Sequence, residues 1–188
     1  MQFNNILNNF VKIYKKDNGL GSLEFSNSIL DIGSADISGE IKEFYQHLMF
    51  DEECYFKGSP FDIAIIPLRL TESASEGWTD DGWKDSYLVF AHLMGDEPIF
   101  CDMTTDNCPV YGKLSGDSKL YKLGDSLKSF LDTYIRLKEV EVNIFGDDIY
   151  IDDMLSDYKE GYISSIFDII NEYVSENCRD DFKEFMLG

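Results

Sequence analysis

Phe3, Ile6, Leu7, Phe10, Val11 and Tyr14 recur at three- and four-residue intervals, which predicts an amphipathic helix that Lys15-Lys16-Asp17-Asn18-Gly19 then brings to a stop. Ile41, Phe44, Tyr45 and Leu48 repeat the pattern behind Ser38-Gly39-Glu40, whose small and acidic residues suit a helix N-terminus, and this second helix is expected to end near Phe50. The period then shortens. Ile63 to Ile66 is an apolar run bounded by Pro60 and Pro67, and Leu68 to Leu70 continues it either as strand or as a short connection. Ser86 to Leu93 reads as a buried strand, Met94-Gly95-Asp96-Glu97-Pro98 as a turn and Ile99-Phe100-Cys101 as the return strand. Thr104 to Asn107 forms the next turn and Pro109-Val110-Tyr111-Gly112 starts a third strand, giving an antiparallel meander.

After the sheet region the pattern returns to a helical period. Gly124-Asp125-Ser126 is a candidate N-terminal cap, and Leu127, Phe130, Leu131, Tyr134 and Leu137 follow along one face. Val140-Glu141-Val142-Asn143-Ile144 either extends this helix, as continuity favours, or forms a strand, as its β-branched residues favour. Ile163, Ile166, Phe167, Ile170, Tyr173 and Val174 define the apolar face of a further helix, and Phe182, Phe185 and Met186 predict a last short one packing back.

Composition narrows the class of protein. The chain has 188 residues, 44% hydrophobic, with 14 Phe, 11 Tyr and 2 Trp, enough bulky apolar side chains to fill one core. A single domain spanning 1–188 is expected, with a core at about 38–138 and an acidic, mostly helical C-terminal extension at about 139–188. No stretch approaches the roughly 18 consecutive apolar residues that span a bilayer, and Met1-Gln2-Phe3-Asn4-Asn5 carries no basic or hydrophobic leader, so a cytoplasmic location is the simplest expectation. Against 36 Asp and Glu stand 16 Lys and Arg, a net charge of -20. Such a chain is a poor partner for nucleic acid or anionic membranes, since Lys12, Lys15 and Lys16 are too few for a phosphate backbone; it suits solubility or a basic protein partner. Residues 139–188, with 14 acids and 3 bases, are the more acidic part.

The candidate chemistry is sparse. No GxSxG is present; of the two histidines, His92 lies in an apolar strand, where a hydrogen-bonded structural role is expected, and His47 is expected at the surface of its helix. Gly19-Leu20-Gly21 fails as a dinucleotide fingerprint because Glu24 takes the third glycine position, and Gly112-Lys113 lacks the upstream glycine of a P-loop. Cys54, Cys101, Cys108 and Cys178 form no CxxC pair, which argues against zinc and for reduced thiols, although Cys101 and Cys108 flank a turn and can approach one another. Asp147-Asp148 and Asp152-Asp153 lack EF-hand spacing, and the second pair, just before a helix, suits a cap. No cofactor and no metal are therefore expected. Trp78 and Trp83 flank Thr79-Asp80-Asp81-Gly82, a cluster compatible with a sugar platform, a partner-binding loop or a hydrophobic anchor beneath a polar loop.

Tyr87 to Leu131 adds a resemblance of order. It runs Tyr87-Leu88-Val89-Phe90-Ala91, then Gly95-Asp96, Pro98-Ile99-Phe100-Cys101-Asp102, Pro109-Val110-Tyr111, Gly116 and Ser126-Leu127-Lys128-Ser129-Phe130-Leu131. This succession resembles the SUKH superfamily, which contains bacterial immunity proteins and a fungal regulator of cell-wall synthesis. The helix around Glu43-Phe44-Tyr45 and the tryptophan loop also look like family features, whereas the usual Leu-Pro before that helix and Asn-Gly after it are absent. The resemblance implies an α+β fold, a mainly antiparallel sheet flanked by helices, and a non-enzymatic immunity protein that binds and neutralises a cognate, basic toxin domain. An intracellular regulatory or scaffold module is the alternative, and a carbohydrate-active enzyme using paired carboxylates is the third. For partner binding, Glu76, Trp78, Asp80, Asp81, Trp83 and Asp85 combine acids that steer with aromatics that anchor, and the acidic stretch 147–181 is the alternative surface.

Overall fold

The computed structural model describes residues 2–58, 60–79, 82–93, 95–146, 148–151 and 157–188. Helix α1 (Phe3–Lys16) buries Phe3, Ile6, Leu7, Phe10, Val11, Ile13 and Tyr14, and its last-turn Lys15 and Lys16 complement the negative end of the helix dipole. It stops where Gly19 passes so close to the Tyr14 ring that a Cβ there would collide with it, while the Tyr14 hydroxyl donates to the Leu20 carbonyl at 2.6 Å. Helix α2 (Gly39–His47) ends before the expected Phe50. The reason is a ladder: β2 (Leu48–Met49) pairs antiparallel with β1 (Glu24–Phe25), Phe25 opposite Leu48. His47 is therefore not a surface residue; it is 7% exposed, stacked 5.9 Å from Phe25, with Nδ1 2.9 Å from the Ser26 carbonyl oxygen.

The main sheet is antiparallel, and its six strands follow one another in chain order: β3 (Cys54–Tyr55), β4 (Ile63–Ile65), β5 (Tyr87–Leu93), β6 (Pro98–Asp102), β7 (Val110–Gly112) and β8 (Tyr121–Gly124). The fold is α+β, with the predicted three-strand meander at the centre of the sheet and β3 and β8 as additions at its edges. Leu68–Leu70 forms a 3-10 turn rather than strand, and the short α3 (Thr71–Ala74) follows it. In β5 the register moves from Val89 opposite Phe100 to Ala91 opposite Ile99, so Phe90 is an extra residue and both Phe90 and Ala91 join the inner core.

Helix α4 (Leu127–Val140) is set by a reciprocal cap: the Ser129 amide donates to Ser126 Oγ at 2.9 Å and the Ser126 amide to Ser129 Oγ at 3.1 Å. Its predicted face is buried, and the Tyr134 hydroxyl donates to the Phe61 carbonyl at 2.6 Å. The open question at Val140–Ile144 resolves as helix of a wider kind, a π-helical turn over Glu141–Phe145 that ends at Gly146. Helices α5 (Glu160–Tyr173) and α6 (Arg179–Leu187) close the chain. Phe185 of α6 lies against β7 where only glycine fits, since a Cβ on Gly112 would sit 2.5 Å from the ring. Phe167 departs from the expected apolar face: it is 39% exposed, with the Lys183 ammonium 5.2 Å from its ring centre. Tyr173 is half-buried beneath the Arg136 guanidinium, 3.8 Å away. The acid pair Asp152-Asp153, and Asp147, lie outside the described residues.

One buried cluster holds side chains from Phe3 of α1 through Met186 of α6, so the N-terminal and C-terminal helices fill the same core as the central sheet. All four cysteines are buried and free. Among the described residues no helix is long and apolar enough to cross a membrane.

Candidate functional site

The sheet has a second, outer face. Strand alternation sends Ile66, Val89 and Phe100 away from the helices, where they form a separate buried cluster packed against Leu70, Ala74, Trp83, Tyr87, Tyr111 and Leu120. The 3-10 turn and α3 roof one end of this face, leaving Tyr87, Tyr111 and Leu120 half-buried beyond it.

The tryptophan loop descends onto this cluster from α3. The Glu76 amide donates to the Ser73 carbonyl at 3.1 Å and the Trp78 amide to the Ser75 carbonyl at 3.0 Å, so the helical course is prolonged into a turn with Glu76 exposed and Trp78 half-buried. Trp83 then packs 4.8 Å from the Phe100 ring centre and edge-on to Tyr87 at 5.4 Å. Phe100 stacks on Tyr111 at 5.9 Å, which makes Trp83, Phe100 and Tyr111 a continuous aromatic strip with Tyr87 alongside. Such rings combine large contact area with few rotors to immobilise.

Asp102 fixes the base of the loop. Its carboxylate accepts from the Ser86 hydroxyl at 2.8 Å and the Thr104 amide at 3.0 Å, and pairs with the Lys84 ammonium at 3.3 Å. Burial pushes this carboxyl up, but the hydrogen bonds from Thr104, Ser86 and Lys84 outweigh it and hold the group below its usual range. Lys84 is thus engaged by Asp102, and Lys122, on the strand beyond Tyr111, is engaged by Asp125 at 2.5 Å. Exposed Glu72, Glu76 and Asp85 are left to set the charge of the rim.

Of the residues expected at the site, Trp83 packs on the outer face, Glu76 and Asp85 are exposed, Trp78 is half-buried, and Asp80 and Asp81 lie outside the described residues. The two tryptophans have different roles. Trp83 packs on Phe100 and Tyr87 and anchors its end of the loop, whereas Trp78 is half-buried with no ring partner among the described residues. Tyr87, in a run that reads as a buried strand, and Tyr111, in the third strand, are not among the expected site residues, although their alternation with Leu88 and Val110 is the signal that turns them outward.

Two other groupings stand apart from this face. The Cys101 and Cys108 thiols come together as the turn between them allows: hydrogen bonding from Cys101, and then the backbone amides of Ile41 and Glu40, bring the Cys108 thiol down to about 7 against the opposing effect of burial. His92 is half-buried, with Nδ1 2.9 Å from the Leu93 carbonyl oxygen and Nε2 3.4 Å from Glu53, a structural arrangement. Among the described residues no three His, Cys, Asp or Glu side chains converge in a way that would hold a metal ion.

No protein-family model, curated protein or solved structure matches the chain.

Proposed function

We propose that this chain is a non-enzymatic binding protein of the SUKH immunity kind, which neutralises a basic toxin domain by stoichiometric occupation. The observation that carries this reading is the outer face of the sheet, where three partly exposed aromatic side chains, Trp83, Tyr87 and Tyr111, lie over the buried Phe100 and the nearby cations are tied up in ion pairs, leaving an acidic rim. Buried aromatic anchors dominate the energy of protein interfaces, and complementary charge raises the rate of encounter. A net charge of -20 extends that attraction beyond contact distance for any strongly basic partner.

The reading requires a toxin encoded beside the gene. Co-expression of the chain with that toxin domain should restore growth, while unrelated toxins remain lethal in its presence. Loss of viability with the neighbouring toxin, or a neighbourhood of metabolic genes with no toxin, overturns the proposal.

A further inference from the structure

On the other side of the Leu68–Leu70 turn lies a groove of about 1070 Å³. Leu70 packs into the outer-face cluster, whereas Leu68 lines the groove, so one 3-10 turn separates the two surfaces. The groove floor is apolar, built from Leu48, Met49, Phe50 and Leu68, and Leu30 and Ile32 from the segment before α2 form the facing wall. The floor is held in place by the short ladder between Phe25 and Leu48 and by the Tyr45 hydroxyl, which donates to the Ile66 carbonyl at 2.9 Å. Met49 remains 42% exposed on it, an apolar surface with no cover.

The rim is acidic. Glu24, Asp31, Asp51 and Glu52 line the groove, and Arg69 is the one cation among the described lining residues. Arg69 spends a donor on the Asp51 carbonyl oxygen, 2.6 Å away, and Lys15 offsets Glu24 at 2.5 Å. Asp51 and Glu52 are exposed and pair with no cation among the described residues. An anionic ligand would be repelled here. The volume also lies at the upper limit of the roughly 300–1000 Å³ typical of small-molecule sites, which suits a length of chain better than a metabolite.

We infer that this groove docks an extended, lysine- or arginine-bearing segment of a partner protein, with an aliphatic side chain seated between Met49 and Ile32 and the cations facing Asp51 and Glu52. Apolar burial supplies the holding energy and the acids choose the sign of the partner. This inference is independent of the outer face and of any toxin.

A fluorescein-labelled peptide of alternating leucine and lysine is the probe, followed by anisotropy. Asp51→Lys with Glu52→Lys should weaken its binding by about tenfold, and Met49→Gln by about threefold. The remote reversal Asp168→Lys with Glu172→Lys, on the exposed side of α5, changes the net charge equally and should weaken binding by less than about twofold. All the altered side chains are at least partly exposed, so circular dichroism should report folded variants. Equal losses from the groove and remote reversals, or unchanged affinity in the groove reversal, overturn the inference.

Discussion

Lys138 and Glu141 form an ion pair across the junction where α4 becomes π-helical, with side chains only 0% and 5% exposed. Asp17, at the end of α1, adds a second carboxylate 3.1 Å from the same ammonium, and Lys138 also donates to the Lys57 carbonyl. The Tyr162 hydroxyl of α5 donates to Glu141 Oε1 at 3.1 Å. The end of α1, the Lys57 segment and the π-helical turn thereby meet at one buried cation, α5 joins them through Glu141, and the tie crosses the place where the acidic C-terminal stretch begins.

Lys138→Met should therefore be among the most damaging substitutions in the chain. It leaves Asp17 and Glu141 buried without their cation, and removal of one partner from a buried pair typically costs about 3–5 kcal/mol. Urea unfolding measures it. The double variant Lys138→Met with Glu141→Gln should recover part of the loss, and a single-variant cost below about 1 kcal/mol would show that water reaches the cluster.

Glu141 also sets a pH dependence. Burial pushes its carboxyl from the ordinary 4.5 up to about 7, against the pull of Lys138 and Tyr162, while Asp17 adds to the rise. The folded protein then holds this proton more tightly than the unfolded chain, so the group's contribution is fully present below pH 4.5 and is lost as pH rises through about 7. In Glu141→Gln that titration is absent. The difference in unfolding free energy between the natural protein and this variant should fall across that window and flatten above it; a difference constant in pH contradicts the assignment.

The two tryptophans should separate by their effect on stability. Trp83→Ala removes the ring packed at a tilt on Phe100 and edge-on to Tyr87, and for a half-buried side chain the expected loss is roughly 2 kcal/mol. Trp78→Ala should change stability by less than about 0.5 kcal/mol. Comparable losses in thermal or urea unfolding would mean that Trp78 is also a structural anchor.

The sequence foretold elements whose own residues carry the signal. Helices α1 and α4 are legible because apolar spacing over 14 residues in each agrees with the stop signal after α1 and the serine cap before α4, and the meander of β5, β6 and β7 because turn residues punctuate apolar runs. Strand β8 is four residues long, and Leu48–Met49 is two; each exists because a neighbour offers a ladder, which periodicity does not reveal. Lys138 and Glu141 belong to residue types that are normally exposed, so their burial follows only from the meeting of α1, α4 and α5. The tryptophan loop was legible as a cluster of aromatics and acids, but the difference between Trp78 and Trp83 depends on Phe100, the third residue of β6.

Binding kinetics with the toxin domain that the proposed function requires put the role of the outer face to the test. Glu76→Lys with Asp85→Lys reverses two exposed charges of the rim and should slow association by about tenfold at low salt, with a flatter dependence on ionic strength. Trp78→Ala should leave association nearly unchanged and speed dissociation, as loss of an anchor does. A folded double reversal that associates with the toxin at the natural rate in low salt would contradict the placement of the partner on this face.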